Sequence, residues 1–359
     1  MEVGIVGLPV SGKTTLFSTV TGQDLQAAFG GGKIEVHRGV VRVPDTRLNE
    51  LTAIFNPKKQ VNATIEYIEV GGMESDGSGN KGFDPQFLQV LKNTDALCVV
   101  IRAFDNEFHP HPAGKIDILR DVQTVESEFL LSDLTIVENR IERLDKQAKK
   151  AKDEQGLKEL ELMQRLRDHL EQEIPLREFE FTEDERTLIR GYQFLTAKPL
   201  VFALNINESD IPKADELAAK VPPRKHVTVI AFCAKAEQEI SQLDDDDREM
   251  FMEELGITEP ALDKVIRTTY ELLGLISFFT VGEDECRAWT IRRNTNAQRA
   301  AGAIHSDLER GFIRAEVVSY VDFMTHKSVS KCKENGVYRL EGKQYIVKDG
   351  DIMNIRFNV

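Results

Sequence analysis

Apolar residues in this chain come first in short bursts and later in long periodic runs. Residues 3–6, 39–43, 65–70, 96–101, 200–204 and 226–232 are brief stretches rich in aliphatic and β-branched side chains. Most are separated by segments long enough for a helix, the first of which continues through residues 16–21. Buried strands alternating with helices predict an α/β fold, with a mostly parallel sheet covered on both faces. Between Asp121 and Lys198 the period changes. Leu130, Leu134, Val137, Ile141, Leu144, Ala148 and Ala151 recur in steps of four and three, which lays a narrow apolar seam along a helix. Gly156 is expected to break that helix, and Leu157, Leu160, Met163, Leu166, Leu170 and Ile174 to line a second one ended by Pro175. Together they predict an antiparallel coiled-coil arm, with a flat helical layer on the sheet as the alternative.

A third pattern begins near Gly274. Short β-rich runs at 278–280, 287–291, 312–318, 338–340 and 345–347 surround one predicted helix near 298–311. An Asp-Gly turn at Asp349-Gly350 leads into a last β-rich run. The α/β pattern is thus interrupted from about Asp121 to Lys198, and a small, mostly β domain follows near Gly274. Residues 71–82 are the one Gly-rich stretch and read as a mobile loop.

Composition narrows the picture. At 359 residues, 41% hydrophobic and 30% charged, the chain suits a multidomain globular protein and not a disordered one. No apolar run reaches the ~18–20 residues that span a bilayer, and the first residues lack the pattern of a secretory signal. Cys98, Cys233, Cys286 and Cys332 lie far apart without a CxxC pair, so a reducing, cytoplasmic setting is expected. The net charge of −14 argues against wholesale coating of nucleic acid. It leaves room for a local basic patch at Arg287, Arg292, Arg293 and Arg299.

The most specific chemistry is Gly7-Leu8-Pro9-Val10-Ser11-Gly12-Lys13-Thr14, which fits G-x-x-x-x-G-K-[ST] at every fixed position, between a strand and a helix beginning near Thr15. The glycines let consecutive N–H groups turn toward phosphate oxygens. Lys13 is expected to reach the β/γ-phosphates and the Thr14 hydroxyl to bind Mg²⁺. An acidic residue at the end of a neighbouring strand completes such a metal site. Here that residue is Glu69, followed by Val70-Gly71-Gly72, and it is one methylene longer than the Asp of D-x-x-G. Met73 stands where many guanine-nucleotide hydrolases place a water-orienting Gln, so hydrolysis is expected to be slow or to use another group.

The strand at 200–204 ends in Asn205-Ile206-Asn207-Glu208, where a guanine-specific protein has N-K-x-D. Asn205 is expected to meet the purine edge and Ile206 to wall its face. Without the short Asp that accepts from guanine N1–H and its amino group, the contact that rejects adenine is missing, so ATP is expected over GTP. Cys233-Ala234-Lys235 occupies the place of a second base loop.

With these elements in this order, the chain resembles the YchF/Obg-like ATPase family of translation-factor-related P-loop proteins. GIVGLPVSGKTTLF, VPDTRLNELTAIFNPKK, IEYIEVGG and NINE stand where that family has its P-loop, following segment, D-x-A-G and N-x-x-E. The C-terminal stretches RAWTIRRNTNAQRAAGAIHSDLERGFIRAEV and GKQYIVKDGDIMNIRFNV are similar to its TGS module. The resemblance implies a discontinuous G-type parallel-sheet domain (1–120 and 196–274), an inserted helical arm (121–195) and a C-terminal β-grasp (TGS) domain (275–359). It also implies Mg²⁺-dependent ATP hydrolysis, and a ribosome or ribosomal RNA as partner through arm and TGS domain. It places a water-orienting His at His111, and an imidazole titrating near ~6.5 suits that task. Where the family carries a metal-binding switch Thr, this chain has Lys33. The expectation is therefore a monomeric, cytoplasmic ATP-dependent switch with slow turnover; the alternative is a nucleotide-binding interaction protein that does not hydrolyse.

Overall fold

The computed structural model describes residues 1–23, 35–71, 83–148 and 154–358. They divide into two compact units, one of residues 1–39 and 66–265 and the other of 40–65 and 266–359. Before residue 233 the strands are β1 (Glu2–Gly7), β2 (Glu35–Arg42), β3 (Lys59–Val61), β4 (Thr64–Gly71), β5 (Ala96–Ala103), β6 (Leu200–Ile206) and β7 (Val227–Phe232). All but β3 form one sheet in the order β2-β4-β1-β5-β6-β7. From β4 to β7 every neighbouring pair is parallel, with Ile5 beside Glu69 and Cys98, and Asn205 beside Arg102 and Phe232. Strands β5 and β6 are buried along their whole length, as strands covered on both faces must be. The parallel register brings Gly7, Glu69, Ala103, Ile206 and Phe232 to one edge, where ligands of such sheets bind.

The helices of this part of the chain are α1 (Lys13–Thr21), α2 (Thr46–Phe55), α3 (Pro85–Lys92), α4 (Ile118–Ala148), α5 (Glu154–Leu170), α6 (Glu183–Ile189), α7 (Ala214–Ala218), α8 (Ala234–Gln242), α9 (Asp245–Glu254) and α10 (Ala261–Leu272). At 31 residues, α4 is about 46 Å long. Its first half buries Val122, Val125 and Phe129 in the core of the parallel sheet with Val99, Ile101 and Phe202. Its second half makes a separate core in which Val137, Ile141 and Leu144 meet Leu162, Met163, Leu166 and Leu170 of α5. Leu130 and Leu134 lie at the margin of that cluster, so the predicted seam exists and is one side of a helical hairpin. Ala151 lies outside the described residues. Gly156 does not break the pattern: α5 starts at Glu154 and runs through it, since a single helical glycine costs only about 1 kcal/mol against Ala. Arg140 binds Glu159 through two hydrogen bonds of 2.9 and 2.7 Å.

The hairpin is anchored by a fully buried carboxylate. Asp133 accepts from Leu195 N at 3.0 Å, Thr196 N at 2.7 Å and Thr196 Oγ1 at 2.6 Å. Burial nonetheless pushes its pKa up to about 6.

In the second unit the strands are β8 (Leu275–Thr280), β9 (Glu285–Arg292), β10 (Phe312–Ser319), β11 (Arg339–Glu341) and β12 (Asp351–Phe357), and its helices are α11 (Ala297–Ile304), α12 (Ser306–Arg310), α13 (Tyr320–His326) and α14 (Val329–Glu334). Sheet order is β11-β10-β12-β8-β9-β3. An antiparallel hairpin β8–β9, a crossing helix and a central parallel pair β12–β8 make a β-grasp. Ala297, Ala300 and Ala301 let α11 lie close on Phe278, Ile291 and Val317. The helix predicted over 298–311 is split at His305, whose backbone is extended and whose Nδ1 accepts from Asp307 N at 3.1 Å. Residues 345–347 make only an isolated bridge, Asn296 with Ile346, in place of the expected strand.

Residues 40–65 group with this second unit, although the sequence reading kept 1–120 together. Strand β3 pairs with β9. Arg47 bonds Asp45 and Asp349, each at 2.8 Å, with its guanidinium 5.2 Å from the Phe279 ring centre. Phe55 stacks on Phe323. None of these partners is close in sequence to α2 apart from Asp45.

Replacing Asp133 by Ala leaves two buried N–H groups without an acceptor. Stability should fall by about 2–4 kcal/mol in chemical denaturation; a loss under 0.5 kcal/mol would show that the anchor is dispensable.

Candidate nucleotide-binding site

The turn between β1 and α1 is shaped for an anion. Gly12, which precedes α1, has φ of 95° and no side chain to cap the helix, and the first turn of α1 contains no acidic residue. The first N–H groups of α1 are therefore free of side-chain acceptors at the positive end of the helix. Glycine is required twice. A Cβ on Gly7 would strike the Val100 carbonyl, and one on Gly12 would strike Asn205 Nδ2. Pro9 and Val10 form the outer curve of the loop, and Val10 is left-handed at φ 62° and 44% exposed. That conformation is rare for a β-branched residue. Ser11 is buried, and its Oγ has no hydrogen-bond partner.

Lys13 curls back so that Nζ donates to Leu8 O at 3.0 Å. Burial pushes its pKa down to about 8, opposed by the nearby Glu69 carboxylate. Thr14 Oγ1 donates to Glu69 Oε1 at 2.7 Å. Glu69 is 0% exposed, and its Oε2 has no hydrogen-bond partner. Burial raises the Glu69 pKa, while the Thr14 hydroxyl and the Lys13 charge pull it down. A hydroxyl in contact with a carboxylate that keeps one buried oxygen unsatisfied is the donor set of a hard cation such as Mg²⁺. The extra methylene of Glu over Asp is taken up by this direct contact. Gly72, Met73 and Lys33 lie outside the described residues.

Asn205 serves two loops at once. Its Nδ2 donates to Ser11 O at 3.1 Å and its Oδ1 accepts from Ala234 N at 3.0 Å. The sequence expected this amide to face the purine edge; the structure uses one hydrogen and one lone pair of it to join the phosphate loop to the second base loop. Beside this tie is a cavity of about 380 Å³, lined among others by Gly12, Thr15, Ile206, Glu208, Cys233, Ala234 and Lys235. Its volume suits a small ligand. Ile206 is 2% exposed and packs in the core, so it gives the cavity an edge and not a broad wall. Glu208 pairs with Lys235 at 3.4 Å, both exposed. Cys233 is buried, and burial raises its thiol pKa, which keeps it a thiol and not a nucleophile.

Among the lining residues that the sequence did not single out are Phe104, Asp105 and Asn106. They follow β5, and the rule that ligands bind beyond the C-terminal ends of parallel strands could have found them. Phe104 lines the cavity; Arg102 holds the loop, its guanidinium 4.7 Å from the Phe104 ring centre and its Nη2 donating to His109 O. His111 is not among the residues lining this cavity. Its Nδ1 accepts from Ala113 N at 3.1 Å and its Nε2 donates to Asp121 Oδ2 at 2.9 Å.

The left-handed backbone at Val10 stores strain of about 1–2 kcal/mol. Asn, which tolerates this conformation, should raise the melting temperature by about 2 °C in a calorimetric scan when it replaces Val10. An unchanged or lower melting temperature would mean that no strain is stored there.

Comparison with known proteins identifies the family. Residues 275–358 match the family model YchF-GTPase_C, described as a protein of unknown function. The chain is 41% identical to the ribosome-binding ATPase YchF of Bacillus subtilis over the full length of both. It is also 41% identical to the protein of that name from Pasteurella multocida, over 100% of this chain and 99% of the relative. The structure of the Schizosaccharomyces pombe YchF GTPase superposes with a TM-score of 0.86 at 30% identity, covering 99% of this chain and 97% of that one. This P-loop protein belongs to the YchF family.

Proposed function

We propose that the chain is a nucleotide-dependent switch that binds ATP in preference to GTP, hydrolyses it slowly with Mg²⁺, and acts on the ribosome. The observation that carries this reading is the Thr14–Glu69 contact beside a phosphate loop whose helix start is uncapped. Main-chain N–H groups of the loop bind the triphosphate, and Lys13 exchanges the Leu8 carbonyl for β/γ-phosphate oxygens. Thr14 and Glu69 would hold Mg²⁺, which when bound neutralises charge on those oxygens. ATP is favoured because position 208 carries Glu where a guanine reader has the short Asp, and Glu208 is already paired with Lys235. Phe104 supplies a face for the base to stack on.

The ribosomal part of the reading rests on the relatives' name, ribosome-binding ATPase, and on basic residues of the β-grasp unit. Arg287 and Arg292 stand five residues apart on β9 and so face opposite sides of the sheet. The Arg287 guanidinium lies 4.0 Å from the Trp289 ring centre. Arg292, Arg293 and Arg299 are exposed, and these three are the phosphate contacts we propose for ribosomal RNA. The working parts are taken to be a nucleotide domain, the 121–195 insertion and the TGS module at 275–359, acting as a monomer in the cytoplasm.

A second reading, nucleotide binding without hydrolysis, is favoured by one observation: both ring nitrogens of His111 are already bonded within the protein.

Two results test the site. Replacing Glu69 by Gln keeps an acceptor for Thr14 but removes the charge. ATP affinity in the presence of chelator should change less than twofold, while the tightening produced by Mg²⁺ is lost; Mg²⁺ tightening equal to wild type would remove Glu69 from the metal site. Lys13 in the free protein titrates near 8, and a bound triphosphate raises that value. Binding therefore takes up a proton above pH 8, so affinity is full below that pH and falls by up to tenfold per unit above it. Calorimetry at pH 7 and pH 9 reads this directly, and equal affinities would place Lys13 off the phosphates.

A further inference from the structure

Asp121 stands in the first turn of α4 and is buried, with 2% of its surface exposed. Each of its carboxylate oxygens has a different task. Oδ1 accepts from Arg120 Nε at 2.9 Å and from Arg120 Nη2 at 2.8 Å, and the same Nη2 donates to Lys115 O. Oδ2 accepts from His111 Nε2 at 2.9 Å. On the other side of the ring, the Ala113 N–H donates to Nδ1. A nitrogen that accepts from a backbone N–H carries no proton of its own, so the ring is the neutral tautomer with its hydrogen on Nε2. The side chains of His111 and Asp121 are 6% and 3% exposed. In this arrangement the ring has neither a lone pair nor an N–H left for a water molecule.

We propose that Asp121 is a positioning residue that holds His111 out of action, and that breaking the Asp121–His111 hydrogen bond frees the ring to orient the attacking water. This rests on the reading of His111 as the water-orienting group. Arg120 clamps the carboxylate, so the ring is held by an acceptor that cannot swing with it. Asp121 belongs to the same continuous helix that forms one side of the hairpin, whose far half packs on α5 and not on the sheet. A partner that tilts α4 therefore acts on the histidine through one hydrogen bond, and turnover is slow until it does.

The test combines single-turnover ATP hydrolysis, ATP affinity and ¹⁵N NMR of the histidine ring in the full chain. Asp121→Ala should raise the single-turnover rate at least threefold with ATP affinity changed less than twofold. It should also shift the His111 ring nitrogens away from the single-tautomer pattern of wild type. Asp121→Asn keeps a neutral acceptor and should fall between the two; it also serves if loss of the first-turn carboxylate unfolds the Ala variant. In the His111→Ala background the Asp121 substitutions should leave the rate unchanged. A freed ring without a faster rate overturns the proposal, as does a faster rate that persists without His111. If every variant binds ATP and none releases phosphate, the hydrolytic reading fails instead, and the ring nitrogen signals alone decide whether Asp121 holds the histidine.

Discussion

The nucleotide edge of this protein depends on one buried carboxamide. Asn205 ties the carbonyl of Ser11 to the N–H of Ala234, residues 194 and 29 positions away from it. The loop that wraps phosphate and the loop beside the base cavity are thereby set at a fixed spacing. The tie exists only because Gly12 has no Cβ, since one there would occupy the place of Nδ2. With the loop held, the start of α1 keeps its N–H groups uncapped, and Thr14 meets Glu69. A buried amide with its partners aligned specifies one arrangement of three chain segments; removed, it would leave a carbonyl and an N–H unsatisfied.

Glu69 is also where the two units of the chain meet in sequence. Residues 40–65 belong to the second unit, and the chain returns through β4 to deliver Glu69 three residues into the first. The carboxylate proposed to hold the metal is thus carried by a strand that starts in the C-terminal unit.

Much of this was legible in the sequence because it is written locally. The motif from Gly7 to Thr14 names its own conformation, the even burial of β5 and β6 follows from their apolar runs, and the α4 seam follows from its steps of three and four. What was missed depends on pairing that no local pattern marks. Strand β3 is three residues long and half-exposed, and only its pairing with β9 makes it a strand. Arg47 reads as a surface charge until Asp349 and Phe279 are beside it. His305 ends α11 through its backbone and ring, which no periodicity marks. In the site, the contacts that engage Asn205 and His111 were not legible in the sequence. The chemistry of each side chain suggested a free reader or base, whereas Asn205 is engaged by Ser11 and Ala234, and His111 by Ala113 and by Asp121 of α4.

The central claim is that this edge takes a purine triphosphate with a divalent cation and prefers adenine. Calorimetric titration with ATP, ADP and GTP, with and without Mg²⁺, tests it most directly. ATP should bind at least several-fold more tightly than GTP, and Mg²⁺ should strengthen ATP binding. Tighter binding of GTP, or no uptake of any purine triphosphate at millimolar concentration, would contradict it.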